Sequence, residues 1–295
     1  MWQRLMRKAI LLVVCLVLFP LTAWAGEPLR FAVTDIVGLE ELQREYGAFR
    51  NVLSTATKLD IAFSPVSNRT AAVEALKSQK VDFVLTGPAE YVVFRKRTDA
   101  YPVVGLSRPD YFAAIIVRAD NGIALPQDLK GKKVAFGDVG STSKHLAPMQ
   151  LLKDYGVDPL KDVEPLHVSA NIAWESLKRG DVAAIGTTYS VFLRLRDEEK
   201  ELEPGAFRVI ARGPDLPNDM LLVGPHVDKG VVETVRHAFE THAQALVRAV
   251  LTGTETQKYK GMKFLTRIED RDYDYVRAMY VTIGYPAYAE LVGEQ

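Results

Sequence analysis

Short β-rich runs alternate with amphipathic helical stretches along this chain from about residue 29 onward, and that alternation limits its fold more than any other feature. Leu29 to Thr34 reads as a strand, Glu40 to Thr57 as a helix, Ile61 to Phe63 as a strand and Ala71 to Lys77 as a helix. Val81 to Leu85 reads as a buried strand ending at Gly87-Pro88, and Ala89 to Arg97 as a helix that Pro88 is suited to start. Strand patterns recur at Val103 to Leu106, Tyr111 to Val117, Val134 to Phe136, Val163 to Val168, Val182 to Ile185, Phe207 to Ala211 and Met220 to Val223. Val231 to Leu251 reads as one long helix, and the tyrosine-rich tail from Asp272 to Leu291 as another. Strands and helices in turn predict an α/β fold with mostly parallel sheets.

The first residues point to export. Arg4, Arg7 and Lys8 precede an apolar core from Ala9 to Phe19, and Ala23-Trp24-Ala25 has the A-x-A form of a cleavage site. Cleavage after Ala25 is expected, in a periplasmic protein beginning at Gly26. The apolar run is too short for a comfortable membrane span. Cys15, the single cysteine, lies within it, so the mature chain is expected to have neither disulfides nor thiol chemistry. The whole chain holds 37 basic and 37 acidic residues; without the leader the balance is 34 to 37, a net charge of −3. That balance argues against a nucleic-acid partner.

The segment with most chemical content is Gly137-Asp138-Val139-Gly140-Ser141-Thr142-Ser143. A strand runs into glycines, then three hydroxyl residues, then a helical pattern through Leu151 and Leu152. Free backbone N–H groups and hydroxyls at the positive end of a helix suit a small oxyanion. The same residues also suit plain helix capping. Lys144 and His145 are expected to turn onto other helix faces, toward the surface.

Several segments, taken in order, resemble the PhnD-type periplasmic solute-binding proteins of phosphate, phosphite and phosphonate ABC transporters. They are Leu29-Arg30-Phe31-Ala32-Val33, Glu74-Ala75-Leu76-Lys77, Val81-Asp82-Phe83 and Gly87-Pro88-Ala89-Glu90-Tyr91. Asp128 to Phe136, the Ser141-Thr142-Ser143…Pro148 motif, Leu216-Pro217-Asn218-Asp219 and Asp272-Tyr273-Asp274 continue the match. The resemblance implies a two-lobed, type II periplasmic binding protein with a central cleft and two hinge crossings, expected near Tyr111 to Arg118 and Asp219 to Gly224. One lobe would comprise 26–112 and 219–295, the other 113–218.

It also implies a site. Ser141, Thr142 and Ser143 would contact the ligand, Tyr111 would reach it from the first crossing, and Asp219 would accept a proton that the ligand keeps. Tyr91 falls in a matching motif. Asn68-Arg69 stands where the family usually shows an Asp-Tyr pair, so Arg69 in the cleft would favour a more anionic ligand. Asn171, or its neighbour Ala170, replaces a family histidine, and Thr187, Thr188 and Tyr189 follow a strand end that lines the cleft. The acid that some aminoethylphosphonate binders use falls near Ser190, which argues against that ligand.

Other chemistry is not expected. The five histidines have poor metal spacing, and no G-x-S-x-G elbow, Walker A or dinucleotide glycine pattern occurs. The chain is therefore read as a non-enzymatic, cofactor-free monomer. It would close around a small anion and present that shape to an ABC permease or, alternatively, to a sensor kinase.

Overall fold

The computed structural model describes residues 27–203 and 205–288. The expected leader, its cleavage after Ala25 and the reading of Cys15 lie outside them.

Eleven strands among these residues form two sheets. The first contains β1 (Leu29–Val33), β2 (Ile61–Phe63), β3 (Phe83–Thr86), β4 (Tyr101–Leu106), β10 (Asp219–Val223) and β11 (Phe264–Leu265), in the order β11-β4-β10-β3-β1-β2. β1 pairs parallel with β2 and β3, while β10 pairs antiparallel with β3 and β4. The second contains β5 (Phe112–Arg118), β6 (Lys133–Phe136), β7 (Glu164–His167), β8 (Ala184–Thr188) and β9 (Phe207–Asp215), in the order β7-β6-β8-β5-β9. Here β6 is parallel to β7 and β8, and β5 is antiparallel to β8 and β9.

The sheets are mixed rather than mostly parallel, since β5 and β10 pair antiparallel with both neighbours; the continuous apolar runs lie where both faces of a sheet are covered. Ala113 to Val117 are each no more than 1% exposed, and Met220 to Val223 are equally buried. Helices α1 (Leu39–Thr57), α2 (Arg69–Lys77) and α3 (Pro88–Arg97) belong to the first sheet, with α7 (Lys229–Thr241) and α8 (Ala243–Val250). Helices α4 (Ala147–Asp154), α5 (Ala170–Arg179) and α6 (Tyr189–Glu198) pack on the second. Each sheet with its helices forms a lobe.

The chain passes between the sheets at 107–111 and 216–218, so both crossings are shorter than expected. Residues 112–118 are wholly a strand of the second sheet, and 219–223 wholly a strand of the first. The expected helix over 231–251 is two helices that break at His242, whose backbone leaves helical geometry (φ −112°, ψ 19°). Just before the break the Thr241 hydroxyl donates to the His237 carbonyl at 2.8 Å, a back-bond that bends helices.

The last helix, α9 (Asp274–Thr282), touches both lobes. The Tyr280 hydroxyl donates to the Ala89 carbonyl on α3, at 3.0 Å. On its other side Tyr275 donates to Asp154 at 2.8 Å and Thr282 to Gln150 at 2.6 Å, both on α4.

Candidate functional site

The loops after β1, β3, β6 and β8 leave the carboxyl ends of parallel strands, where open α/β sheets place their ligands. One direct contact and one close approach show that these ends from the two sheets face each other. Thr142 Oγ1 accepts the Ala89 N–H at 3.0 Å, with both residues buried, and a Cβ added to Gly140 would lie 3.7 Å from Arg69 Cδ.

The hydroxyl triplet sits on a widened turn. Thr142–Leu146 is a turn of π-helix, and the Ser141 carbonyl accepts N–H bonds from both His145 (3.1 Å) and Leu146 (3.0 Å). Pro148 explains part of this shape, because it has no N–H to give the Lys144 carbonyl four residues back. That carbonyl instead accepts the Gly137 N–H at 2.7 Å, folding the loop over the end of β6. None of the three hydroxyls caps the helix. Ser141 makes no capping bond, and Thr142 is taken by Ala89. All three residues are buried.

The expectation that Lys144 and His145 face the surface is corrected. The i→i+5 bonding of the π-turn, in place of i→i+4, carries His145 inward to 4% exposure. Its Nδ1 accepts the Gly140 N–H at 3.0 Å, and its ring meets that of His167 edge-on at 4.6 Å. Burial first, and the neighbouring His167 second, push its pKa down to about 4. Lys144 is half-buried with its stem over Gly137; burial lowers its pKa, and Lys258 lowers it further.

Tyr111 and Asp219 flank the crossings. The Arg108 guanidinium lies 3.4 Å from the centre of the Tyr111 ring and 3.4 Å from Asp219 Oδ1. Asp219 Oδ2 accepts from the buried Tyr259 hydroxyl at 2.5 Å. Burial raises the Tyr111 phenol pKa, and Arg108 opposes it.

Arg69 faces the cleft, but its charge is already matched. It pairs with Asp35 at 2.7 Å and with Glu90. Lys258 reaches Asp35 from the opposite side, at 3.0 Å. Partial burial pushes the Asp35 carboxyl up, yet Lys258 and Arg69 outweigh it and hold the group well below the usual carboxylate range. Arg69 therefore adds less net positive charge than its position in the sequence suggests.

Tyr91 is corrected as a site residue. It lies one position after Glu90 on α3, and that step turns its side chain away from the cleft. Its hydroxyl donates to Asp270 at 2.6 Å and its ring packs on Tyr273 at 4.4 Å. Tyr189 is also a packing residue, stacked on Phe112 at 5.3 Å with Arg212 on the far face. Asn171 is exposed on the first turn of α5; the side chain from this loop that reaches the triplet's segment is His167, 3.2 Å from the Gly137 carbonyl. Thr188 caps α6, and Thr187 is buried with no partner for its hydroxyl.

Sequence reasoning missed Asp35, Glu90, Arg108 and Lys258. Asp35 and Glu90 each follow the end of a parallel strand by a few residues, a position that would have flagged them. Among the described residues no group of three or more His, Cys, Asp or Glu is placed to hold a metal ion.

A profile of the family described as "ABC transporter, phosphonate, periplasmic substrate-binding protein" matches residues 31–273. The chain belongs to this family. The Phosphate-import protein PhnD of Mycolicibacterium smegmatis (strain ATCC 700084 / mc(2)155) is 23% identical to this family member over 238 residues, 74% of this chain and 72% of that protein. The structure is similar to that of PhnD1 from Prochlorococcus marinus (MIT 9301) in complex with methylphosphonate, with a TM-score of 0.66 and 16% identity, covering 87% of this chain and 98% of the other. A binding protein component of an ABC phosphonate transporter from Pseudomonas aeruginosa gives a TM-score of 0.66 at 19% identity, over 87% of this chain and 86% of that one. These likenesses place the family member in the type II periplasmic binding fold.

Proposed function

We propose that this chain takes a small phosphorus oxyanion (phosphate, phosphite or a phosphonate) between its lobes and hands it, closed, to an ABC importer. The observation that carries this reading is the junction of Thr142 with Ala89, which sets the triplet against the amino end of α3. Ser141, Thr142 and Ser143 offer donors to the anion, with Tyr111 and Arg108 on the crossing side. Asp219 accepts from a protonated oxygen, since an ionised carboxylate can only accept. The lobe boundaries are taken as 26–111 with 219–295, and 112–218, which keeps β5 whole. The mature protein begins at Gly26 in the periplasm, acts as a monomer, and binds without turning its ligand over.

The test is ligand-induced stabilisation with phosphate, phosphite, methylphosphonate and sulfate. A ligand at a hundredfold excess over its Kd adds about 2.7 kcal/mol, or roughly 5–10 °C in Tm. Thr142→Ala with Ser143→Ala should abolish that shift. Equal shifts in the wild type and the double variant would refute the assignment of the triplet.

A further inference from the structure

Gly87 ends β3 and forms part of the cleft floor. A Cβ built there would lie 2.9 Å from Glu90 Oε2, 3.7 Å from Asp219 Oδ1 and 3.8 Å from Thr142 Oγ1. Three oxygens, from α3, the start of β10 and the triplet, thus converge on a spot kept open by the absence of a side chain.

Glu90 is the unexplained member of this group. The residue is 3% exposed, and its Oε2 receives no hydrogen bond. Oε1 is ion-paired with Arg69, while Oε2 turns to the floor above Gly87. A buried carboxylate oxygen left without a donor is costly. Each carboxylate has its own arginine, Glu90 beside Arg69 and Asp219 beside Arg108. The pairs offset one another in charge, so the floor discriminates by hydrogen-bond complementarity more than by net charge.

We propose that Glu90 determines specificity. It selects phosphorus oxyanions that bring an O–H donor to the Gly87 floor, on phosphorus or on the adjacent carbon, and it rejects tetrahedral anions that carry none. This rests on the reading of the cleft as an oxyanion site. Carboxylates have only lone pairs to offer. A fully deprotonated oxyanion would present its own lone pairs to Glu90 Oε2 and leave it without a donor, whereas both Asp219 oxygens already have one.

The experiment is calorimetric titration of the full mature chain and its Glu90→Gln variant with three probes. In mildly acidic buffer, methylphosphonate and methanesulfonate share shape and single charge but only the first carries a proton; hydroxymethylphosphonate adds a donor on carbon. The wild type should bind methylphosphonate at least about tenfold more tightly than methanesulfonate, the worth of a hydrogen bond to a charged acceptor. A further gain of similar size for hydroxymethylphosphonate would locate the donor on carbon, and no further gain would locate it on phosphorus. Glu90→Gln keeps an oxygen for Arg69 and puts an amide NH2 on the floor. It should tighten methanesulfonate binding and erase the contrast. Three probes of equal affinity in the wild type would overturn the proposal. So would an equal loss for all three in the variant, which would mark Glu90 as support for Arg69 only. If the wild type bound none of them, the oxyanion reading itself would fall, and the proposal with it.

Discussion

Thr142→Val removes a hydroxyl that joins the two lobes and leaves a methyl of nearly the same size. In the closed form the Ala89 N–H is buried at the second position of α3, where no intrahelical partner is available to it. With Thr142 Oγ1 gone, the closed state loses a bond worth about 1 kcal/mol net and keeps a desolvated amide costing about 1–3 kcal/mol. In an open form the same amide meets water, so the penalty falls on closure alone. A destabilisation of about 1–3 kcal/mol weakens a ligand that binds the closed state roughly 5- to 150-fold. Titration calorimetry with the best phosphorus oxyanion would read the loss, and Thr142→Ser should recover most of it. Melting of the unliganded variant should stay within about 2 °C of wild type, because each lobe keeps its own core. An affinity within about twofold of wild type would show that this bond does not govern closure. A large drop in unliganded stability would show that it holds the fold instead.

Three further outcomes follow from the geometry. His145 titrates at about 4 in the folded protein, below the ~6.5 of an unfolded chain, so the unfolded state binds more protons between those values. Stability should therefore fall by up to about 3 kcal/mol as pH drops from 6.5 through 4, and His145→Gln should flatten that part of the denaturation profile. Tyr91→Phe deletes a bond to the Asp270 carboxylate and should cost about 1.5–3 kcal/mol in denaturant unfolding with ligand affinity unchanged; altered affinity would return Tyr91 to the site. Gly186→Ala would put a Cβ 2.4 Å from Pro148 Cβ, where the backbone has little room to give. About 1–3 kcal/mol of overpacking should appear in Tm, together with weaker binding as the start of α4 is pushed from β8.

The alternation of strands and helices was plain in the sequence because strands covered on both faces are written as unbroken apolar runs, whether they pair parallel, as in Val81 to Leu85, or antiparallel, as in Tyr111 to Val117. The triplet was legible for a similar reason, since a strand end, glycines and hydroxyls fall within a few residues of one another. The break at His242 was hidden because the apolar period runs on through Leu246 and Val250 on both sides of it. His145 was misplaced because a π-turn breaks an argument built on the α-helical period. Tyr91 and Glu90 are adjacent, and one helical step decides which of them sees the cleft. The family motif drew attention to the tyrosine; the carboxylate beside it turned out to be the one that faces Thr142 and Arg69. Arg69 could be tied to the cleft from its helix-start position, but its neutralising partners, Asp35 after β1 and Glu90 on α3, come from other elements of the chain.

The C-terminal helix has a mechanical consequence. It is bonded by Tyr280 to one half of the molecule and by Tyr275 and Thr282 to the other, so the jaws cannot part as two free bodies on a pair of short straps. Whichever half carries the helix, separation must tear the bonds to its counterpart. The helix thus acts as a door chain, adding resistance to the swing through bonds to both jaws.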